Sequence, residues 1–556
     1  MANVCDVLVR LLAQAGVKHI FGVPGDAINA LTEALRHQDK IKFIHVNHEE
    51  SGAFAASGQA KLTGRLGVCA GTAGPGAIHL LNGLYDAKCD RAPVLAITGQ
   101  VETRFMGSAY QQEIDLHGLF KDVCVYNQVV MNPDHFPYIA VHAIQTAIER
   151  KGIAHISIPI DIAAKSVAHA DKWQAHIPDM RVLPADLRNI DKAAELLNRH
   201  DRIAILAGIG CHGAADKIFA LAEKLRAPII HALRAKELFP ESHPYSVGGL
   251  GNLGVKPATR VIERCDLLLM IGTNFPYTDF LPKHAKVVQI DGDPCQIGKR
   301  IPVDVPLVGD AGSIAELLLP TLKAKQKSAF LEEAQAAMKS WKAEMKRHVE
   351  NGGSPIKPAR LAYLVGEAAS DTAIFVSDTG EVTAWVARYL QMRSGQRFTV
   401  SGMLATMAFG MGAAIGAKLA YPERQVIALV GDGGFSMLMT DFSTAVKYKL
   451  PMLIVVFNNR KLGMIQVEQE GRGLPDYETD LHNPDFAEFA KLCGGGGMRV
   501  TDPAALQSAI HAGLESDVPF VLDVLVDADE KIIPPVITLA QAVHYGMAKV
   551  KERIGS

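Results

Sequence analysis

Gln425–Phe435 reads QVIALVGDGGF, and Pro451–Asn459 reads PMLIVVFNN. Each is an apolar run of strand length that stops at turn-forming or polar residues, the pattern of a strand covered on both faces. About one βα unit separates them, so the runs predict neighbouring parallel strands whose C-terminal ends share one edge of a sheet. The glycines around Asp432 let backbone N–H groups approach a phosphate, and the N-terminus of the helix expected there favours an anion. Asp432 adds a hard carboxylate suited to Mg²⁺, and Asn459 at the second strand end can face the same ion. A Gly-Asp-Gly turn without a ligand is the plainer alternative for the first run alone. The matching Asn458-Asn459 end favours a metal–diphosphate site.

Working outward, short apolar strands alternate with helical segments throughout, which predicts an α/β protein of doubly wound parallel sheets. The first block carries strand candidates at Leu66–Gly74, Ala92–Gly99, Cys124–Met131 and Ile153–Ile162, before a polar break at Ala163–Asp191. The second has Arg202–Gly208, Ala227–His231, Asp266–Gly272 and Lys286–Ile290, followed by a charged helical stretch, Phe330–Glu350, and the linker NGGSP. The third has Ala373–Ser377, Gln425–Val430, Met452–Phe457 and Phe520–Val526. Three domains follow, over residues 1–165, 185–325 and 355–530, with a C-terminal tail at 531–556.

The bulk numbers agree. A chain of 556 residues accommodates three or four domains at roughly 150 residues each. A formal net charge of -2 favours neither nucleic acid nor an anionic membrane as partner. Eight cysteines without a CxxC pair argue against a zinc site or disulfide framework and point to a reducing, cytoplasmic setting. The N-terminal MANVCDVLVRLLAQAGV reads as an amphipathic helix rather than a signal peptide. No apolar stretch reaches the roughly 18 residues of a membrane span.

Two further segments carry chemistry. Ile203–Lys217, IAILAGIGCHGAADK, places Gly208, Gly210 and Gly213 in a GxGxxG turn after a strand, the context of a dinucleotide site. The acidic residue expected after the next strand is absent, since that strand ends APIIHALRAK. A bound dinucleotide and an empty relict domain both remain open on these residues alone. His45–Ala56, HVNHEESGAFAA, places Glu49 at the start of a helix of small residues. By itself this is an ordinary helix-start glutamate.

The GDG turn followed by roughly two dozen residues and NN resembles the motif of the thiamin-diphosphate-dependent enzymes, and the resemblance covers nearly the whole chain. It implies three domains, pyrimidine-binding, central FAD-type and diphosphate-binding. It implies that Asp432, the Asn459 side chain and the Lys461 carbonyl hold Mg²⁺, with Asp378, Gly380, Gly433 and Gly434 at the diphosphate. HEE matches the activating glutamate and assigns that role to Glu49, with Gly25 also at the cofactor. Ser401–Lys418, SGMLATMAFGMGAAIGAK, is similar to the segment that bends the cofactor: Met407 wedges between its rings, the Ala405 carbonyl accepts from its amino group, and Thr406 lies between them. For FAD the resemblance names Gly208, Gly210, Leu250, Gly251, Asn252, Leu253, Thr273, Asn274, Phe275, Pro276, Tyr277, Asp291 and Asp310. In this family the glutamate and the diphosphate site come from different subunits, which implies a homodimer at least, and a homotetramer in the branch resembled.

Within the family, GPGAIHLLNGLYDA (Gly74–Ala87) resembles the pyruvate oxidases, with His79 where acetolactate synthases usually carry asparagine. GTNFPY and Glu468 point the same way, whereas Met464 is acetolactate-like. Gln112 matches the glutamine that points at the substrate, but Gln111 departs from the usual pattern. The resemblance therefore implies thiamin-diphosphate-, Mg²⁺- and FAD-dependent oxidative decarboxylation of pyruvate. A carboligase with structural FAD is the alternative. A non-enzymatic regulatory homologue is disfavoured because Glu49, Asp432 and Asn459 are all present. The tail VHYGMAKVKERIGS has a small apolar set among mixed charges, so no stable membrane anchoring is expected.

Overall fold

In the computed structural model, residues 2–175, 187–350 and 352–532 are described, with positions 534, 535, 544, 547 and 548. Most of the tail, including Val543, Tyr545, Val550 and Ile554, lies outside the described residues. The N-terminal amphipathic pattern forms a helix, Val4–Gln14, with Asn3 and Asp6 closing a capping box.

Among the described residues the strands form three six-stranded sheets, each entirely parallel. The first holds β1 (His19–Gly22), β2 (Lys42–His45), β3 (Gly67–Gly71), β4 (Val94–Gln100), β5 (Cys124–Val129) and β6 (Ile153–Pro159), in the order β2-β1-β3-β4-β6-β5. The second holds β7 (Ile203–Ala207), β8 (Ile229–His231), β9 (Ser246–Gly249), β10 (Leu267–Ile271), β11 (Lys286–Asp291) and β12 (Val305–Val308), in the order β12-β11-β10-β7-β8-β9. The third holds β13 (Ile374–Ser377), β14 (Arg397–Val400), β15 (Val426–Gly431), β16 (Leu453–Asn458), β17 (Gly496–Val500) and β18 (Phe520–Leu525), in the order β14-β13-β15-β16-β18-β17.

All twelve strands expected from the sequence form. The six not foreseen are β1, β2, β9, β12, β14 and β17, each four or five residues long. Five of them are sheet edges. Edge strands need not be apolar on both faces, and β17 opens on Gly496-Gly497 while β12 contains Pro306, so their periodicity is weak.

In each sheet the winding direction reverses between β1 and β3, between β7 and β10, and between β13 and β15, and in the first and third sheets the last two strands are also inverted, as β6-β5 and β18-β17. Ligands of open α/β sheets bind in the crevice outside the strand ends at such switch points. The first and third domains meet through two helices of small residues, Glu49–Thr63 and Phe409–Ala420. A Cβ on Gly416 would lie 2.2 Å from the Ala55 carbonyl oxygen, and one on Gly58 would lie 2.7 Å from the Ala413 Cβ. The glycines therefore permit backbone contact, and one apolar core runs across the junction, with Phe54 edge-on to Phe409.

Candidate active site

The third sheet brings Asp378, Asp432 and Asn459 to its switch-point edge. β15 pairs with β16 so that Gly431 lies opposite Phe457, which sets Asp432 beside Asn458. The Asp432 carboxylate accepts the Arg460 backbone N–H, so it reaches onto the turn that carries Asn459 and Lys461. Arg460 holds a left-handed φ of 56° there, and Asn459 Oδ1 accepts the Lys461 N–H at 3.0 Å. The Lys461 ammonium is turned away, to Asp476 at 2.6 Å and Asp480 at 2.8 Å.

Burial dominates the electrostatics of this edge. It pushes the Asp432 carboxyl up to about 6 against the hydrogen bond from Asn483. It pushes Asp378 up to about 7 against the first N–H groups of the Phe409–Ala420 helix and that of Thr379. Asp378 Oδ1 accepts from Thr379 N–H at 2.7 Å, whereas Oδ2 has no partner of good hydrogen-bond geometry and faces Gly434. Glu381, not foreseen from the sequence, starts the helix after Gly380 and accepts from Asn459 Nδ2 at 3.2 Å. Burial raises it to about 7, and its Oε1 is unpartnered.

Met407 lies over this edge: a Cβ on Gly433 would sit 3.2 Å from its terminal methyl carbon. Its strap is strained, since Ala405 and Ala408 both have left-handed φ values, 54° and 70°. Thr406 is held from both sides, its N–H by Ser401 Oγ at 3.1 Å and its Oγ1 by Asn82 at 3.0 Å.

In the first domain Glu49 is buried at the head of its helix, and Oε2 lies 2.9 Å from His79 Nδ1. His48 caps that helix and stacks on the His79 ring at 4.4 Å. Gly76 leaves the space that Glu49 Oε1 faces, since a Cβ there would lie 3.1 Å from it. Gly25, after β1, packs on Thr72, after β3, at that sheet's switch point. Gln112 is exposed, with a left-handed φ of 64°, and its backbone abuts Gly74. In the Gly463–Gly471 helix the spacing of Met464 and Glu468 puts them on one face, Met464 half-buried and Glu468 exposed.

Residues 2–119, 190–318 and 378–524 match, respectively, the N-terminal TPP binding domain, the central domain and the C-terminal TPP binding domain of the thiamine pyrophosphate enzymes. YdaP of Bacillus subtilis, whose own description as thiamine pyrophosphate-containing is provisional, is 43% identical over 98% of this chain and 95% of its own length. The pyruvate oxidase of Lactiplantibacillus plantarum is 32% identical over 94% of this chain and 89% of its own. The acetolactate synthase large subunit of Corynebacterium glutamicum is 32% identical over 95% and 87%.

The chain belongs to the thiamine pyrophosphate enzymes.

For a thiamine pyrophosphate enzyme the donor set of the third domain fits its cofactor. Asp432, the Asn459 amide and the Lys461 carbonyl are hard oxygen ligands of the kind Mg²⁺ shares with phosphate oxygens. Asp378 Oδ2 and Glu381 Oε1 are buried acceptors without a partner of good hydrogen-bond geometry, which a cation or a donor would satisfy. When bound, thiamin diphosphate supplies an electron sink. The residues that face these edges are the buried carboxyl groups of Glu49 and Asp432 and the strained segment that carries Met407.

The central switch point is built differently. Gly208 and Gly210 lie against the backbone of Gly272, and their N–H groups donate to the Ile271 and Gly272 carbonyls at 2.9 and 3.0 Å. These glycines thus serve close packing of β7 on β10. Leu250, Thr273, Phe275 and Asp291 are buried, and Asn252 and Tyr277 are exposed. Gly251, with a φ of 101°, lies under Phe275 and Tyr277. Arg388 of the third domain grips the carbonyls of Asn252 and Gly254 at 3.0 and 2.9 Å, next to half-buried Leu253. Asn274 pairs with Gln296, half-buried Pro276 follows it, and Asp291 faces Arg91 of the first domain at 3.8 Å. Asp310 caps the Ala311–Thr321 helix by accepting from Ser313.

Glu381, Asn483 and Asn82 were not legible as site residues. Each joins the site through a contact between distant segments, and no spacing rule flags it.

Proposed function

We propose that this enzyme carries out thiamin-diphosphate- and FAD-dependent oxidative decarboxylation of pyruvate, as a pyruvate oxidase or a quinone-linked pyruvate dehydrogenase does. The observation that carries this reading is the 2.9 Å pair between His79 and Glu49. His79 belongs to the segment that resembles the pyruvate oxidases, where acetolactate synthases usually carry asparagine. Thiamin diphosphate supplies the electron sink for loss of CO2, and FAD supplies the acceptor for the electron pair. Glu49 holds and moves the proton that activates the cofactor, while Gln112, Met464 and Glu468 meet the substrate. Asp432, Asn459 and the Lys461 carbonyl would hold Mg²⁺. A quinone or oxygen serves as the final oxidant.

The functional unit in this reading is a homodimer at least, with a homotetramer as the working assembly. In support, among the described residues the Glu49 carboxylate pairs with His79 and makes no hydrogen bond or ion pair with Asp378, Asp432 or Asn459. The reading places the enzyme in the cytoplasm without nucleic-acid partners or stable membrane anchoring. Among the described residues no helix is long and apolar enough to cross a membrane.

One observation favours a second reading. Met464, acetolactate-like in sequence, lies one helical turn from Glu468, so a carboligase with structural FAD is the alternative. Anaerobic addition of pyruvate separates the two. Flavin bleaching supports electron transfer, whereas acetolactate or acetoin without bleaching rejects it.

A further inference from the structure

Asn483 lies in the loop before the Phe486–Leu492 helix, far in sequence from both strands of the diphosphate edge. Its Nδ2 donates to Asp432 Oδ2 at 2.6 Å and to Asn458 Oδ1 at 3.1 Å. Asn458 in turn donates through Nδ2 to Asp523 Oδ1 at 2.8 Å, on the neighbouring strand β18. Both Asn458 and Asp523 are buried.

The polarity of this chain is set from its far end. Asp523 Oδ1 accepts from Asn458 while Arg499 lies 3.7 Å from Oδ2, so this carboxylate draws the Asn458 amide nitrogen and turns the Asn458 oxygen toward Asn483. That oxygen needs a donor, which turns the Asn483 nitrogen inward. One amide nitrogen carries two hydrogens, and the second is directed at Asp432. The first asparagine of the NN pair is thus committed to orientation, which leaves Asn459 for the ligand itself.

We propose that Asn483 is a positioning residue for the metal-binding carboxylate of Asp432, oriented by Asn458 and Asp523; the proposal rests on the Mg²⁺–thiamin-diphosphate reading above. A donor on one carboxylate oxygen restricts rotation about Cβ–Cγ, so an arriving cation meets an oriented ligand. Partners of this kind are typically worth about 10–100-fold in metal affinity.

The loop also has a separate anchor. Asp485 caps the Phe486–Leu492 helix by accepting from Ala487 and Glu488, each at 3.0 Å, and pairs with Arg499 at 3.0 Å. Among the described residues Asp485 makes no hydrogen bond or ion pair with Asp432, so it provides a control for a purely structural role of the loop.

The test is calorimetric titration of Mg²⁺ into full-length protein with saturating thiamin diphosphate, with thermal unfolding of the cofactor-free protein alongside. Asn483→Ala should raise the Mg²⁺ dissociation constant about 10–100-fold with little change in unfolding of the cofactor-free protein. Asp485→Ala should lower thermal stability yet leave the Mg²⁺ constant within about threefold, as expected for a side chain outside the ligand sphere. Wild-type Mg²⁺ affinity in Asn483→Ala, or parallel losses of affinity and stability in both variants, would overturn the positioning role while leaving the cofactor reading intact. Wild-type protein that binds neither Mg²⁺ nor thiamin diphosphate would overturn both.

Discussion

The Asp90 carboxylate accepts the backbone N–H of Gly402 at 2.9 Å, and that of Met403 at 3.1 Å. It also pairs with buried Lys61 at 2.6 Å and with Arg234 of the central domain at 3.4 Å. All three domains therefore meet at the head of the strap that carries Met407. A left-handed alanine costs roughly 1–2 kcal/mol more than a right-handed one, and the strap contains two, Ala405 and Ala408. Such strain persists only where the surroundings over-determine it. Asp90, Ser401 and Asn82 provide that determination.

Asp90→Ala should cost about 1–3 kcal/mol of stability, because the Gly402 and Met403 N–H groups and Arg234 lose a buried acceptor, while Lys61 keeps the Asp86 carboxylate at 2.7 Å. Urea denaturation measures this, and a loss under about 1 kcal/mol, the scale of a surface pair, would contradict the clamp.

Glu49→Gln should retain cofactor binding but lose at least about a hundredfold in turnover, the low end of acid–base contributions. An amide cannot deliver or receive the proton. Wild-type-like turnover would remove Glu49 from the mechanism.

Asp432→Ala should abolish Mg²⁺-dependent thiamin-diphosphate binding with the fold retained, because the proposed cation site would lose its carboxylate. Unchanged cofactor affinity by calorimetry would refute the metal role.

In cofactor-free protein three buried carboxyls should lose their stabilising contribution as pH rises, against the opposite contribution of His19, His155 and His231, which burial holds neutral. Burial lifts Asp378 from 3.8 to about 7, with Asp432 and Glu381 moved in the same direction. The folded state thus binds these protons more tightly than the unfolded chain. Their stabilising contribution is full below about pH 4 and fades as pH passes through about 7. The stability difference between wild type and Asp378→Asn, read by thermal unfolding, should shift against the wild type as pH rises between those limits. A difference independent of pH would show that Asp378 ionises normally.

The sequence by itself determined the fold class and the third-domain edge. QVIALVG and PMLIVVFN are apolar enough to be central strands, and adjacent parallel strands bring Asp432 and the Asn458-Asn459 pair to the same sheet edge. The small residues of Glu49–Thr63 and Phe409–Ala420 were also visible, although the sequence did not show that the two helices pack on each other. Tertiary structure alone decided the edge strands, the His79 partner of Glu49, the Glu381 carboxyl beside Asn459, the Asp90 clamp and the Asn483 relay. The physical reason is common to all of them. Periodicity along a chain reports which faces are buried, whereas a hydrogen bond between distant segments depends on where loops return and on the strand register. Neither leaves a local trace in composition or spacing.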